Sequence, residues 1–373
     1  SVRNAIAREL RGKIDKSDLE YARLLILDGS ILALQGKSQL ALTKQRRALE
    51  LLDSKGLRQC KYGALAISKI GTNLRVRSKH KESKEHYEEA IEIFEKLGIR
   101  ESTNCAKALC GKGDTLRLFY KYGNESKKCY EEATDIYEKL GMRESITYAW
   151  LLSRKGTGLS DLAEFDESLK CFEEAVEIHE TLGSRESIYC AWVLDDKGDV
   201  LRVLGKFDES KKCYEEAIGI CDKVGMQESI SCAESFRGKG NVLYEMGRYD
   251  ESKKCQEKAI GICGRLGLWD SKTCASSLTG NGHALYKLNK YDETKDCYEE
   301  AIEMYEKLGE RESLGYAFAL FGRGTLLETM GNFEESVKCF RESMKIYEKL
   351  GLRETVKFSV IHSAIRRIEN RLS

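Results

Sequence analysis

Three sets of residues have types suited to chemistry, and their spacing decides what each can do. Gly36, Lys37 and Ser38 carry the Gly-Lys-Ser ending of a phosphate-binding loop, whose backbone N–H groups cradle phosphates while the lysine reaches the outer ones. That loop needs four residues between its glycines, and Gly29 leaves six. The Gly-Lys-Gly stretches at 111–113 and 238–240 read as helix packing positions. Five histidines, His80, His86, His179, His283 and His362, could ligate a metal or move protons. None falls in a His-Glu-x-x-His pattern or at ligand spacing to another histidine, so solvated or packed rings are expected. Of fourteen cysteines, Cys129, Cys171, Cys213, Cys255, Cys297 and Cys339 share one recurring position, and Cys105, Cys190, Cys232 and Cys274 share another where Tyr148 and Tyr316 substitute. Interchange with tyrosine argues for packing over metal ligation, and no thiol has the basic, exposed company that a nucleophile needs. Asn124-Glu-Ser matches a glycosylation acceptor, but no signal-peptide pattern precedes it and the thiols suit a reducing, cytoplasmic compartment. The expectation is no catalytic residue, no metal and no cofactor.

The elements that carry these residues explain the spacing. Proline is absent from 373 residues, whereas average usage would supply about 19. Hydrophobic residues are 41% and charged residues 33% of the chain, the mixture of amphipathic helices with one wet face. No apolar run approaches the roughly 18 residues that cross a bilayer, so a soluble chain with no membrane partner is expected. A net charge of +1 lacks the basic excess usual in duplex nucleic-acid binders.

A period of 42 organises everything. Gly29, Gly71, Gly113, Gly156, Gly198, Gly240, Gly282 and Gly324 recur at intervals of 42, with a single 43. A second column runs Gly56, Gly98, Gly141, Gly183, Gly225, Gly267, Gly309 and Gly351, and alanine (Ala22 to Ala317) and leucine (Leu32 to Leu327) columns keep phase. The unit from Ala191 splits into two helical stripes: Ala191, Leu194, Gly198, Leu201, and Ser210, Tyr214, Ala217, Cys221. Asp208 and Glu209 suit a helix N-terminus. A Lys-Leu-Gly stop ends the second helix, and Ser102, Ser145, Ser187, Ser229, Ser271, Ser313 and Thr355 stand where the next needs an N-cap. A glycine inside each first helix costs about 1 kcal/mol against alanine, so a partner helix must come close there. The small column Ser83, Ser126, Ser168, Ser210, Ser252 and Ser336 is its expected contact.

The segments LGKFDESKKCYEEAIGI, MGRYDESKKCQEKAIGI and MGNFEESVKCFRESMKI resemble the tetratricopeptide repeat. The longer period is similar to the variants in kinesin light chains and in the repeat arms of signalling ATPases and caspase-like peptidases. Departures are the missing proline after the second helix, serine at the small position, and Ser38 and His80 where the turn aromatic belongs. The resemblance implies an all-α, right-handed α-solenoid superhelix of about eight helix-turn-helix repeats with terminal capping helices, first helices lining the concave face. The repeats read as 22–63, 64–105, 106–148, 149–190, 191–232, 233–274, 275–316 and 317–358. Residues 1–21 read as a partial repeat or N-terminal cap, and 359–373 as a polar capping helix in which Arg366 replaces the glycine. The 43-residue interval predicts an irregular turn near Tyr120 to Asn124. A chain opening on Ser, with half a repeat at 2–14, reads as a piece of a longer protein.

Under that arrangement, first-helix positions that vary between repeats look into the groove. Arg75, Lys107, Arg117 and Arg154 make one end basic, Trp150 and Trp192 follow, Asp195, Asp199 and Arg202 lie beside them, and Asn241, Tyr244, His283, Tyr286, Phe318 and Phe321 make an aromatic end. The expectation is a non-catalytic scaffold for a peptide or protein partner, with the tryptophans as anchors; the plainer reading has them filling gaps between helices. The Lys/Asn set that clamps chaperone tails is not found. An overlapping reading makes the chain the sensor or autoinhibitory arm of a larger signalling ATPase or peptidase, with regulatory domains in the same polypeptide. Single-stranded RNA binding is the distant alternative: Asp195, Asp199 and Glu234 oppose a phosphate backbone, and the period is not that of the per-base RNA readers.

Overall fold

A computed structural model describes residues 16–35, 37–119 and 123–372 of the chain. These residues form seventeen helices and no strand. First helices are α1 (Lys16–Leu34), α3 (Lys61–Val76), α5 (Thr103–Arg117), α7 (Ile146–Asp161), α9 (Ile188–Val203), α11 (Ile230–Glu245), α13 (Lys272–Lys287) and α15 (Leu314–Thr329). Second helices are α2 (Ser38–Ser54), α4 (His80–Lys96), α6 (Gly123–Lys139), α8 (Phe165–Thr181), α10 (Phe207–Lys223), α12 (Tyr249–Arg265), α14 (Tyr291–Lys307) and α16 (Phe333–Lys349), and α17 (Val356–Leu372) follows. The chain divides into two compact units at 178/179, inside α8. In each unit helices pair into hairpins, and successive first helices pack on one another, so both are all-α stacks of helical hairpins. The half repeat expected at 2–14, Gly36 of the Gly-Lys-Ser triplet and residues 120–122 lie outside the described residues; Gly123 and Asn124 open α6.

Local chemistry fixes the ends. Ser102, Ser145, Ser187, Ser229, Ser271 and Ser313 each accept the backbone N–H three residues ahead, and Thr355 accepts that of Phe358. One orphan donor per helix is thereby satisfied. The glycines that end the second helices have φ between +62° and +73°, the left-handed turn that closes a helix most cheaply with no Cβ.

The glycines inside the first helices have a more specific partner than the serine column alone. Ser83, Ser126, Ser168, Ser210, Ser252 and Ser336 donate from Oγ to the carbonyls of Gly71, Gly113, Gly156, Gly198, Gly240 and Gly324, at 2.6–2.9 Å. The space that a Cβ would need is taken by the side chain four residues after each serine. A Cβ at Gly113 would lie 3.0 Å from the Tyr130 ring, at Gly156 2.9 Å from Phe172, and at Gly324 2.9 Å from Phe340. Most of these side chains are clasped from the far side as well. Tyr130 also fills the space at Gly158, Tyr214 lies between Gly198 and Gly238, Gln256 between Gly240 and Gly280, and Tyr298 between Gly282 and Gly322. One buried wedge thus locks its own hairpin to the next.

Candidate functional site

Asp199, Asn241 and His283, expected in the groove, share position nine of the first helix counted from the column alanine, and much of that column answers the wedge. Thr72 Oγ1 lies 2.9 Å from the Tyr87 hydroxyl, and Asp114 Oδ1 accepts the Tyr130 hydroxyl at 2.8 Å. Where the wedge is glutamine, an asparagine responds: Gln256 donates to Asn241 at 3.0 Å, and Asn73, one place beyond position nine, donates to Gln45 at 2.8 Å. The Asn241 amide oxygen is therefore occupied within the fold. A polar atom on a buried wedge needs such a partner.

In the first unit the basic groove residues come with acids. Asp114, 3% exposed, lies 3.0 Å from Arg154 Nε and 3.6 Å from Arg75 Nη2. Arg117 Nε lies 3.2 Å from Asp161. These arginines are largely committed to carboxylates, which composition along the groove did not reveal. Lys107 is exposed, and its charge adds to burial in pushing the Lys69 ammonium below the ordinary lysine value. Trp150 belongs to this unit and is 38% exposed.

In the second unit Trp192 is 45% exposed, with its Nε1 donating to Ser231 Oγ at 2.6 Å and Tyr189 edge-on at 5.2 Å. It is anchored to the next first helix yet still presents a face. Asp195 accepts the Ser235 hydroxyl at 2.8 Å, its Oδ1 has no partner, and burial pushes it well above the usual carboxylate range. Asp199 lies 3.6 Å from Arg202. Tyr286 shares a hydrogen bond with Thr329 at 2.8 Å and stands outside the cavity described next.

A cavity of about 460 Å3 opens on the first-helix face of this unit. It brings together six of the expected residues: Arg202, Asn241, Tyr244, His283, Phe318 and Phe321. Its floor is aromatic. His283 packs against Tyr298 and Tyr244 at centroid distances of 5.5 and 6.0 Å, and Phe318 lies edge-on to Tyr347 at 6.3 Å. Burial, then the charge of Lys357, push His283 down to about 4, so the ring is neutral at neutral pH. The walls hold residues that the groove positions did not single out: Arg237, Glu245, Tyr305 and Lys357. Tyr305 comes from the end of α14, at a repeat position that holds Cys221 and Cys263 but also Tyr137 and Tyr347, and its hydroxyl meets Ser276 Oγ at 2.8 Å. Lys357 comes from α17. That helix buries Ile361, Ala364, Ile365 and Ile368 in the unit's core and sends its first turn into the cavity. Lys357 Nζ lies 3.9 Å from the Phe321 ring centroid and 5.8 Å from that of Phe318, cation–π distances. Tyr305 lies on a second helix and Lys357 at the very end of the last counted repeat, ahead of the next first-helix column, so a search confined to first-helix columns passes over both.

The cavity offers aromatic rings and charged groups for contact. Among the described residues no group of three His, Cys, Asp or Glu side chains is placed to hold a metal ion. Twelve of the fourteen thiols are buried, and burial pushes those of Cys105, Cys129, Cys190 and Cys213 up to about 11. Among the described residues no helix is long and apolar enough to cross a membrane.

A family model for the tetratricopeptide repeat matches residues 187–265 and 273–349. No curated protein matches the chain. Among solved structures the chain is similar to the apo form of the quorum sensor NprR from B. thuringiensis, with TM-score 0.64, 13% identity and 92% of each chain covered. It is similar to Rap protein complexed with Competence and Sporulation Factor, with TM-score 0.60, 14% identity, and 95% of this chain and 98% of that one covered. It is also similar to a signal transduction ATPase with numerous domains bearing a tetratricopeptide repeat sensor, from Pyrococcus horikoshii, with TM-score 0.63 and 12% identity. That match covers 93% of this chain but only 50% of the other, so the chain spans about half that relative's length. These likenesses concern the fold.

Proposed function

Since the chain carries tetratricopeptide repeats, we propose that it is a non-catalytic scaffold holding a peptide or protein segment against the first-helix face of its second unit. The observation that carries this reading is the cavity of about 460 Å3, walled by side chains from α9, α11, α13, α15 and α17, with Tyr305 from the end of α14. Its aromatic rings and charged groups reach the surface without a nucleophile and base in hydrogen-bonded company, an arrangement suited to recognition. Trp192 and Phe318 serve as anchors: both are large, exposed (45% and 37%) and fixed by ring contacts to their neighbours, so little side-chain freedom is lost when a partner covers them.

The sensor-arm reading has one observation in its favour. The Pyrococcus relative, described as having such a repeat sensor, extends well beyond the half that this chain matches. A sensor arm works through the same groove, so the two readings share their first test.

Panning a phage-displayed library of random dodecapeptides on the whole chain provides it. Enrichment is expected on the unaltered protein. Trp192→Ala combined with Phe318→Ala should weaken the enriched peptides by about tenfold or more, the usual cost of losing anchor residues. Lys212→Glu, on a second helix, should leave binding unchanged. No enrichment, or binding indifferent to the anchors and sensitive to Lys212→Glu, would reject the groove.

A further inference from the structure

The charges of this cavity are unbalanced. Arg202, Arg237 and Lys357 line it against a single carboxylate, Glu245, and His283 is neutral. Among the described residues neither Arg237 nor Lys357 makes an ion pair; Arg202 has Asp199 at 3.6 Å from Nη2, while its Nε is buried without a hydrogen-bond partner. Desolvated cations in such a setting gain more from an incoming anion than solvated ones do. Their placement is also divided. Arg202 on α9 and Lys357 on α17 have α11, α13 and α15 between them. Packed helices stand about 8–10 Å apart, so no single carboxylate meets both. Between the two cationic poles lie Tyr244, His283, Phe318 and Phe321.

We propose that the second unit selects an acidic peptide segment. One side-chain carboxylate meets Arg202 and Arg237, a large apolar side chain rests on Phe318, and a second carboxylate meets Lys357. The inference rests on the groove reading above and adds the chemical class of the ligand. Separated poles favour side-chain carboxylates over a chain terminus, which brings only one charge. Lys357, held over Phe321, needs little ordering to receive its partner. Charge complementarity of this kind sets specificity and salt dependence.

The test uses three pools of end-capped dodecapeptides with randomised apolar cores, flanked by two Glu, two Gln or two Lys residues, bound to the full chain on an array. The Glu pool is expected to bind about tenfold more tightly than the Gln pool and to weaken as salt rises. Lys357→Met and Arg237→Gln should each reduce Glu-pool binding severalfold and narrow the preference for the Glu pool over the Gln pool, while Lys212→Glu leaves both pools unchanged; a folding defect would lower both pools alike. Equal binding of the Glu and Gln pools, or preference for the Lys pool, overturns the acidic class while the groove stands. Glu-independent binding that appears only when the peptide carboxy termini are left free overturns it in favour of a terminal carboxylate. Failure of all pools, together with empty panning, overturns the groove itself.

Discussion

Replacing Tyr298 with alanine is expected to cost about 3–5 kcal/mol, the range for emptying a buried aromatic site. The ring is 1% exposed and fills the space between Gly282 of its own hairpin and Gly322 of the next. Its loss removes contacts inside one hairpin and the lock between two. The reciprocal change, Gly322→Ala, drives a methyl into the same ring and should cost about 1–3 kcal/mol by overpacking. The two costs cannot add. With the ring gone the methyl has room, so the double variant should be more stable than the sum of the single effects by about 1 kcal/mol or more. Stacked hairpins need not unfold in one step, so hydrogen exchange of α13 to α15 should accompany urea unfolding. Additive costs would mean that the wedge and its glycines are not coupled.

In the first unit, Asp114→Ala should cost about 2–3 kcal/mol. The carboxylate is 3% exposed and serves Tyr130, Arg154 and Arg75 together. Removing it leaves a buried hydroxyl unpaired and two guanidinium groups facing each other. A fully buried pair broken in this way costs about 3–5 kcal/mol. Here the arginine side chains are 25% and 27% exposed, and water recovers part of the loss. Asp161, 52% exposed beside Arg117, provides the contrast: Asp161→Ala should cost below about 1 kcal/mol. Unfolding monitored within α3, α5 and α7 separates the two. Equal costs would show that Asp114 does not anchor the arginines.

The scaffold was legible in the sequence because each device recurs. Serine caps, left-handed glycines and in-helix glycines occupy fixed columns, and each column answers one local need: an orphan N–H, a reversed φ, a close approach. The wedge was half legible. The glycines and serines announced a tight contact, but the residue filling it stands four places beyond the serine, where Tyr130, Tyr214 and Gln256 looked like ordinary stripe positions. The site was less legible, since it depends on departures from the columns. Lys357 stands on a helix that reads as a cap, and Tyr305 lies on a second helix, outside the groove columns. Arg237 shares its repeat position with Asp195 and Phe321, but nothing in the sequence shows that it lacks a partner while Arg154 has one. Pairing across repeats is set by rotamers that column counting does not contain: Asp114 shares its repeat position with Thr72 and Asn241, yet it offsets the basic end.

Hydrogen exchange of the full chain, with and without a saturating end-capped peptide enriched on it, tests the groove most directly. Added protection is expected on α9, α11, α13, α15 and the first turn of α17, with α10, α12 and α14 unchanged over their solvent-facing residues. Protection concentrated on the second helices, with the residues around Arg237, Phe318 and Lys357 unaltered, would contradict the account.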